Sequence, residues 1–327
     1  MHGNETLWTE RNAILESGIK RPKIISLGEV LWDLFPDGER FGGAPANFAC
    51  HAAILGADVS MVSAVGEDWH GNEAKNILRG YGIDVRLLQF IPGARTGTVG
   101  VALDDAGKPT FTIHEDSAWD QIAWNNELES RVAAADAIYF GTLGQRSEVA
   151  RSTIRRCVES ARQAGIPRVM DINLRPPYFD SQMIRESIQL ASILKLSDDE
   201  LMEVCAACGL ASTAQPNVLL KQLLDSQHLD LVVMTRGAKG AVLVTPKGNV
   251  EQAGIPTTVR DTVGAGDSFT AAFLLGFLRG ETHVQNLFKA CSIASAVCSH
   301  SGAVPEGTLP QEMPPSLPRG IFTFPLE

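Results

Sequence analysis

Residues 261–268 combine small residues with an acid in a pattern that suits phosphate chemistry. Gly264, Ala265 and Gly266 stand directly before Asp267, and an apolar helical pattern continues from there to residue 278. Small residues let the backbone turn tightly, and the start of a helix adds unpaired N–H groups and the positive end of its dipole. The pattern predicts an anion site with Asp267 beside it as a proton acceptor. In the alternative interpretation, Asp267 only caps the N-terminus of a buried helix.

A second glycine-rich segment suits a ligand with several hydroxyl groups. Gly42 and Gly43 permit close approach of the backbone, and Asn47, one turn into the predicted helix, offers both a donor and an acceptor. Asp33 can accept hydrogen bonds from two neighbouring hydroxyls, because an ionised carboxylate is an acceptor only. The alternatives are an ordinary glycine-rich turn with a solvated Asn47, and a loop aspartate that caps a turn.

Two further polar segments follow predicted strands. Asn173 and Arg175 come after the strand predicted at residues 168–172, where the Arg175 guanidinium could orient a sugar oxygen or a phosphate, or form a surface ion pair. Thr235, Gly237 and Gly240 belong to a glycine-rich turn. That turn either approaches nucleotide phosphates or only links two strands of a hairpin.

The elements that position these residues alternate between short β-rich runs and amphipathic helices, which predicts a doubly wound, mostly parallel α/β sheet with helices on both faces. The predicted strands are residues 23–30, 59–65, 137–141, 168–172, 193–196, 231–235 and 241–245. The predicted helices are residues 45–55, 72–81, 149–164, 181–190, 198–208, 218–226, 267–279 and 284–299. Residues 96–103 and 110–115 interrupt the alternation and predict a β-hairpin that acts as a small lid.

The carboxyl ends of strands in such a sheet meet at one edge, where ligands bind. Polar residues that follow predicted strands are therefore expected at that edge: Asp33, Thr142, Asn173, Arg175, Asp199, Glu200 and Arg236. The sequence contains neither GxxxxGK[ST] nor GxGxxG, so a P-loop and a dinucleotide fingerprint are both excluded.

Composition narrows the classes of partner. The 327 residues carry a formal net charge of −10 with scattered Lys and Arg, which argues against nucleic acid or an anionic membrane surface but not against ATP. Residues 1–22 lack an apolar signal-peptide core, and the longest apolar run, residues 269–278, is about half of what a bilayer requires. These features predict a cytoplasmic protein. The six cysteines predict free thiols, with a metal or redox role for Cys205 and Cys208 as the alternative.

Read in order, these motifs resemble the ribokinase-like (PfkB) family of carbohydrate kinases over about residues 23–310. Residues 42–47 resemble its N-terminal signature and residues 261–267 its C-terminal signature. The sequences of the sugar-side motifs are most similar to those of fructokinases, and next most similar to those of 2-keto-3-deoxygluconate kinases. The resemblance implies an extension at residues 1–22, a kinase domain at 23–313 and a tail at 314–327. It also implies a β-lid from about residues 34–42 and 95–120, through which a homodimer would form.

The resemblance further implies a role for each matching position. Asp267 would take the proton of the attacking hydroxyl, while N–H groups of Gly264, Ala265 and Gly266 hold the charge on the transferred phosphoryl group. The sugar would be bound by Asp33, Gly42, Gly43, Asn47, Asn173 and Arg175, and ATP by Ser197, Thr235, Gly237 and Gly240. Glu200 would organise Mg²⁺ through water, and Asp261, the Val263 carbonyl and Gly302 would form a monovalent-cation site that suits K⁺.

Two departures from the family pattern concern the cofactor and the substrate. Ser197 stands where the family's NxxE motif has Asn, although Glu200 is kept. Residues 114–120 are acidic where fructokinases commonly carry a basic residue, which disfavours a sugar that already bears a phosphate. Other sugar or nucleoside kinases of the family are the nearest alternatives to a fructokinase. A non-catalytic sugar-binding regulator is the more distant one.

Overall fold

A computed structural model describes residues 21–103, 109–210 and 215–304. Its main sheet has nine strands in the order β13-β12-β11-β10-β9-β8-β1-β4-β5. Strands β11 to β5 in that order are parallel, and β12 and β13 join antiparallel at one edge. The strands are β1 Lys23–Leu27, β4 Asp58–Gly66, β5 Leu88–Ile91, β8 Ala137–Gly141, β9 Arg168–Asp171, β10 Ile193–Ser197, β11 Leu231–Thr235, β12 Ala241–Thr245 and β13 Gly248–Gln252.

Helices cover both faces of this sheet, as the sequence predicts. They are α1 Ala44–Ile54, α2 Trp69–Gly80, α3 Asn126–Ala133, α4 Glu148–Gln163, α5 Ser181–Leu190, α6 Leu201–Ala207, α7 Pro216–Ser226, α8 Ala265–Leu278 and α9 His283–Cys298. The sheet separates two core layers, and neighbouring residues of β1 face opposite layers. Ile25 belongs to the layer with α4 to α7, and Ile24 to the layer with α1, α2, α8 and α9. Burial on both faces explains why these strands are mostly apolar, with Ser26, Asp171 and Lys195 among the buried exceptions.

A second sheet of four strands forms the lid, in the order β3-β2-β6-β7. Its strands are β2 Leu31–Phe35, β3 Gly38–Gly42, β6 Gly97–Leu103 and β7 Pro109–Ile113. The predicted hairpin is confirmed, because β6 and β7 pair antiparallel, and β2 and β3 complete the sheet. One predicted strand was wrong: residues 23–30 do not form one element, since β1 ends at Leu27 and a lid strand starts at Leu31.

That correction moves Asp33 from the end of the first strand into the lid strand β2, opposite Arg40 of β3. The predicted extension and tail lie largely outside the described residues, as does the connector 104–108. Within the described ranges no helix has the length and apolarity to cross a membrane. The six cysteines are free thiols. Among the described side chains no group of three or more His, Cys, Asp and Glu residues is arranged to hold a metal ion.

Candidate active site

The first turn of α8 carries the glycine-rich segment for which the sequence predicts an anion nest. Gly264 caps the helix in the left-handed conformation, with φ of 77°. A Cβ at this position would lie 2.2 Å from the Ala303 carbonyl oxygen, which also contacts His51 Nε2 at 2.9 Å. The N–H of Ala265 donates to the Thr262 carbonyl at 3.3 Å, whereas within the described residues the N–H groups of Gly264 and Gly266 have no acceptor. Of the three N–H groups predicted to hold an anion, those of Gly264 and Gly266 are therefore unpaired among the described residues, and that of Ala265 has a weak backbone partner.

We expect Gly264→Ala to destabilise the protein and lower kcat/KM by at least about tenfold. The left-handed conformation alone costs about 1–2 kcal/mol for a residue with a Cβ, and the contact with Ala303 adds to that. Gly280→Ala is the matched control, because Gly280 has φ of 69° at the far end of α8 and open space around a new Cβ. Thermal unfolding and steady-state kinetics of both variants would contradict the nest if Gly264→Ala behaves like Gly280→Ala.

Asp267 lies in this first turn and is only 9% exposed. Its Oδ2 accepts a hydrogen bond from Asn47 Nδ2 at 2.9 Å, which joins the two glycine-rich segments of the sequence. Burial raises the pKa of Asp267 to about 7, and the negative charge of Asp171 adds to the shift. The hydrogen bond from Asn47 and the charges of Lys195 and Arg175 oppose it. A carboxylate poised near neutrality and held beside free N–H groups has the properties of a general base.

The start of α1 places Asn47 there. Ser26 Oγ of β1 donates to the Pro45 carbonyl at 2.8 Å and ties the helix to the sheet. Gly43 has φ of 102°, and a Cβ on it would lie 2.6 Å from the Glu29 carbonyl, so no larger residue fits this crossing. Asn47 Oδ1 is buried without a hydrogen-bond partner among the described residues. Because a buried polar atom is rarely left unpaired, this oxygen is the place where a ligand hydroxyl would donate.

Arg175 links the two carboxylates Asp33 and Asp267, because its charge acts on both. Burial raises the pKa of Asp33 to about 6, against the charges of Arg175 and Arg40. The Asp33 carboxylate lies 2.9 Å from where a Cβ of Gly42 would stand. Arg175 is exposed, and its charge lowers the pKa of Asp33 and Asp267 alike. The structure thus brings the predicted sugar residues Asp33, Gly42, Gly43, Asn47 and Arg175 to one place.

Asn173 lies in the loop after β9, the loop that also carries Arg175. It adopts a left-handed conformation, with φ of 40°, which Asn tolerates better than most residues. The Thr142 hydroxyl after β8 donates to the Ile172 carbonyl at 2.8 Å and holds this loop against the neighbouring strand. The Thr142 side chain therefore binds the backbone of this loop.

The predicted nucleotide residues gather at the same edge. Ser197 and Thr235 end the paired strands β10 and β11, and the Thr235 carbonyl accepts from the Asp198 N–H at 2.9 Å. The turn at Gly237 and Gly240 is closed by the Arg236 N–H, which donates to the Gly240 carbonyl at 2.7 Å. A cavity of about 370 Å³ lies beside this turn, lined among others by Asp198, Met234, Arg236 and Lys239.

The two predicted metal positions differ in what their carboxylates already bind. Glu200 accepts the Leu174 N–H at 2.7 Å on one oxygen and the Ser197 N–H at 2.8 Å on the other, so it links the loops after β9 and β10. Its remaining lone pairs fit waters of a Mg²⁺ ion better than direct coordination. Asp261 accepts from Val263 and Gly302 N–H groups at 3.0 and 2.9 Å. Each Asp261 oxygen thus accepts a backbone N–H group, and the carboxylate ties the loop before α8 to the segment after α9.

Three buried charged residues of the site were missed in the sequence. Glu29 follows β1 and is 3% exposed, and burial raises its pKa to about 7 against the charge of Arg175. Asp171 points into the core instead of toward the edge, where it pairs with Lys195 of β10 at 3.0 Å. A charged residue inside the otherwise apolar pattern of residues 193–196 was the available signal for Lys195.

A buried carboxylate beside unpaired N–H groups, at the edge of a doubly wound sheet that carries a separate lid, is an arrangement that can support phosphoryl transfer. The sequence matches the pfkB family of carbohydrate kinases over residues 35–310. It is 32% identical to a fructokinase of Klebsiella pneumoniae over 78% of this chain and 84% of that protein. It is 30% identical to a fructokinase of Salmonella typhimurium over 77% of this chain and 83% of that protein.

The fold agrees with these relatives. An uncharacterized sugar kinase from Pyrococcus horikoshii, solved in complex with ATP, superposes with a TM-score of 0.72 at 27% identity, over 87% of this chain and 95% of that one. The chain belongs to the pfkB family of carbohydrate kinases, and it is an ATP-dependent sugar kinase.

Proposed function

We propose that this enzyme transfers the γ-phosphoryl group of ATP to fructose and forms fructose 6-phosphate. The observation that carries the proposal is the contact between Asn47 and Asp267, which joins the sugar-side segment to the first turn of α8 at 2.9 Å. The fructokinases of Klebsiella pneumoniae and Salmonella typhimurium among the relatives support fructose as the acceptor.

In this mechanism the sugar lies between the lid and the sheet edge. Asp33 accepts hydrogen bonds from two sugar hydroxyls, and the unpaired Asn47 Oδ1 accepts from another. Asn47 Nδ2 orients the Asp267 carboxylate, which takes the proton as the attacking hydroxyl approaches phosphorus. Phosphoryl transfer requires mainly positioning and electrostatic stabilisation, which Asp33, Asn47 and Asp267 can help to provide.

The nucleotide would extend from the nest to the cavity beside Gly237. The free N–H groups of Gly264 and Gly266 would face the developing charge of the phosphoryl group. Thr235 and Gly237, near the cavity, would contact the phosphates. Bound Mg²⁺ would neutralise phosphate charge, with Glu200 orienting its waters. A monovalent cation at Asp261 would hold together the two loops that carry Val263 and Gly302, whose N–H groups both donate to that carboxylate.

The proposal includes a closing lid, a homodimer and a cytoplasmic location. Lid closure over the sugar would exclude water and limit ATP hydrolysis. Phe111 of the lid strand β7 is 51% exposed, which supports this sheet as the surface that a second copy covers.

The pH dependence follows from the base. Since Asp267 must be ionised to accept a proton, we expect kcat/KM to fall as the pH drops below about 7, the pKa of its carboxyl. Glu29 titrates in the same range. A Glu29→Gln variant shows which residue causes this fall, the acidic limb of the pH profile. If Asp267 is responsible, the limb persists near neutral pH in the variant. A limb that vanishes with Glu29→Gln would contradict the assignment to Asp267.

A substrate panel in a coupled ADP-release assay tests the acceptor. We expect the highest kcat/KM with fructose among fructose, ribose, tagatose, 2-keto-3-deoxygluconate and adenosine. Fructose 6-phosphate should be a poor substrate, because Glu115 and Asp116 of the segment at residues 114–120 repel its phosphate. Asp120 of that segment is instead paired with Arg146. A kcat/KM more than about tenfold higher for another acceptor would replace fructose. ADP release that no sugar stimulates would favour a binding role.

A further inference from the structure

Lys195 is a charged residue in the middle of a buried strand. Its side chain is 8% exposed and lies on the sheet face that packs against α8. In the parallel pairing of β9 and β10 it stands directly opposite Asp171, whose side chain is 1% exposed. The ammonium Nζ lies 3.0 Å from Asp171 Oδ1. Burial opposes the charge on Lys195, but the nearby carboxylates of Asp171 and Glu200 outweigh it and raise the pKa of the ammonium.

The ion pair is oriented along the first turns of α8. Nζ lies 3.2 Å from the position that a Cβ of Gly266 would occupy, directly behind the nest. The Thr270 hydroxyl, one turn further into the helix, contacts Asp171 Oδ2 at 3.2 Å and the Gly266 carbonyl at 2.8 Å. The ammonium therefore lies beside Gly266 at the start of α8, and the Asp171 carboxylate reaches Thr270 one turn further into the helix.

A buried ion pair is weak evidence for a purely structural role. Desolvation of two charges commonly offsets their attraction, so apolar residues of similar volume often stabilise a core as well or better. Here the ammonium donates only one hydrogen bond to the described residues, although it carries three donors. Its charge also favours the ionised form of Asp267, whose pKa it lowers, whereas Asp171 raises that pKa.

We propose that Lys195 is a positioning residue for phosphoryl transfer. Its ammonium places positive charge behind Gly266, where the charge of the transferred group develops, and through Asp171 and Thr270 it fixes the first turn of α8. The inference rests on the proposed function, because it assigns Lys195 a part in the same reaction. It predicts that loss of the charge lowers kcat more than it raises the KM for sugar or ATP.

Lys195→Met and the double variant Lys195→Met/Asp171→Asn test this. The single variant leaves a buried carboxylate without its partner and should unfold at a lower temperature than wild type. The double variant removes both charges and should recover the melting temperature. If the ammonium acts on the nest, the double variant still has a kcat at least about tenfold below wild type. A double variant with a kcat within about threefold of wild type would show that the pair serves only the core.

Binding of a transition-state analogue gives a second readout. Wild type should bind ADP with aluminium fluoride in the presence of fructose tightly, and the double variant should bind this complex about tenfold more weakly. Its affinity for ADP alone should stay within about twofold. Equal affinities for the analogue in both proteins would overturn the proposal. An inactive wild type would instead refute the proposed function, so the two failures are distinguishable.

Discussion

Asp267→Asn is expected to lower kcat by at least about a hundredfold while leaving the affinity for sugar within about threefold of wild type. The amide has the size of the carboxyl group and can still accept the hydrogen bond from Asn47 Nδ2, which spans 2.9 Å in the wild type. It cannot take the proton of the attacking hydroxyl. Turnover near the wild-type value would remove Asp267 from the role of base.

The same variant should be more stable than wild type at alkaline pH. The pKa of Asp267 is about 7 in the folded protein, above that of an aspartate in the unfolded chain. Folding therefore raises the affinity of this group for its proton, and the stability it contributes is lost as the pH rises from about 4 to about 7. At pH 8 we expect the free energy of unfolding of Asp267→Asn to be on the order of 4 kcal/mol higher than that of wild type, which corresponds to the rise in the pKa of this carboxyl from about 4 to about 7.

Chemical denaturation at pH 5 and pH 8 measures this effect. The gain in the free energy of unfolding should be larger at pH 8, because wild-type Asp267 is then ionised in its buried position. A variant that is less stable than wild type at both pH values would show that Asp267 has a structural role. High stability combined with lost turnover is the signature of a residue kept for catalysis.

Asp33→Ala is expected to raise the KM for sugar by at least about tenfold and the KM for ATP by less than about twofold. The Asp33 carboxylate lies in the lid strand β2, beside Gly42 and within reach of the charge on Arg175. Two hydrogen bonds from sugar hydroxyls to an ionised acceptor account for this difference. The nucleotide contacts lie on β10 and β11, in the main sheet.

Asp37→Ala is the control for Asp33. Asp37 is in the turn of the same lid hairpin, where its exposed carboxylate pairs with Arg40 at 2.8 Å. The two variants remove the same group from the same hairpin, but only Asp33 faces the proposed sugar. Steady-state kinetics with each substrate varied should show wild-type constants for Asp37→Ala. Equal rises in both KM values for Asp33→Ala would mean that Asp33 does not bind the sugar.

The main sheet could be predicted because its strands are buried on both faces. Residues 231–235 and 241–245 carry no competing pattern, and both match the observed β11 and β12. The lid strands β2 and β3 were harder to predict, since they are short and carry mixed polar and apolar residues. The pairing of β2 with β6 joins residues more than sixty positions apart, which no local pattern reports.

The site shows the same division between local and long-range information. Gly264 and Asp267 can be recognised from the local sequence, because a nest and a base need particular residues next to each other in the chain. Asp171 does not, because the alternation of β9 turns its side chain toward α8 and Lys195 rather than toward the ligand edge. The direction of a polar side chain at the end of a strand depends on that register.

The most direct test of the central claim is ³¹P NMR of a reaction containing the enzyme, Mg²⁺, ATP and fructose. We predict ADP and a phosphate monoester whose ³¹P signal couples to the C6 protons of fructose, and no such signal with Asp267→Asn over the same time. Orthophosphate as the main product, or a monoester formed equally well by Asp267→Asn, would contradict the account.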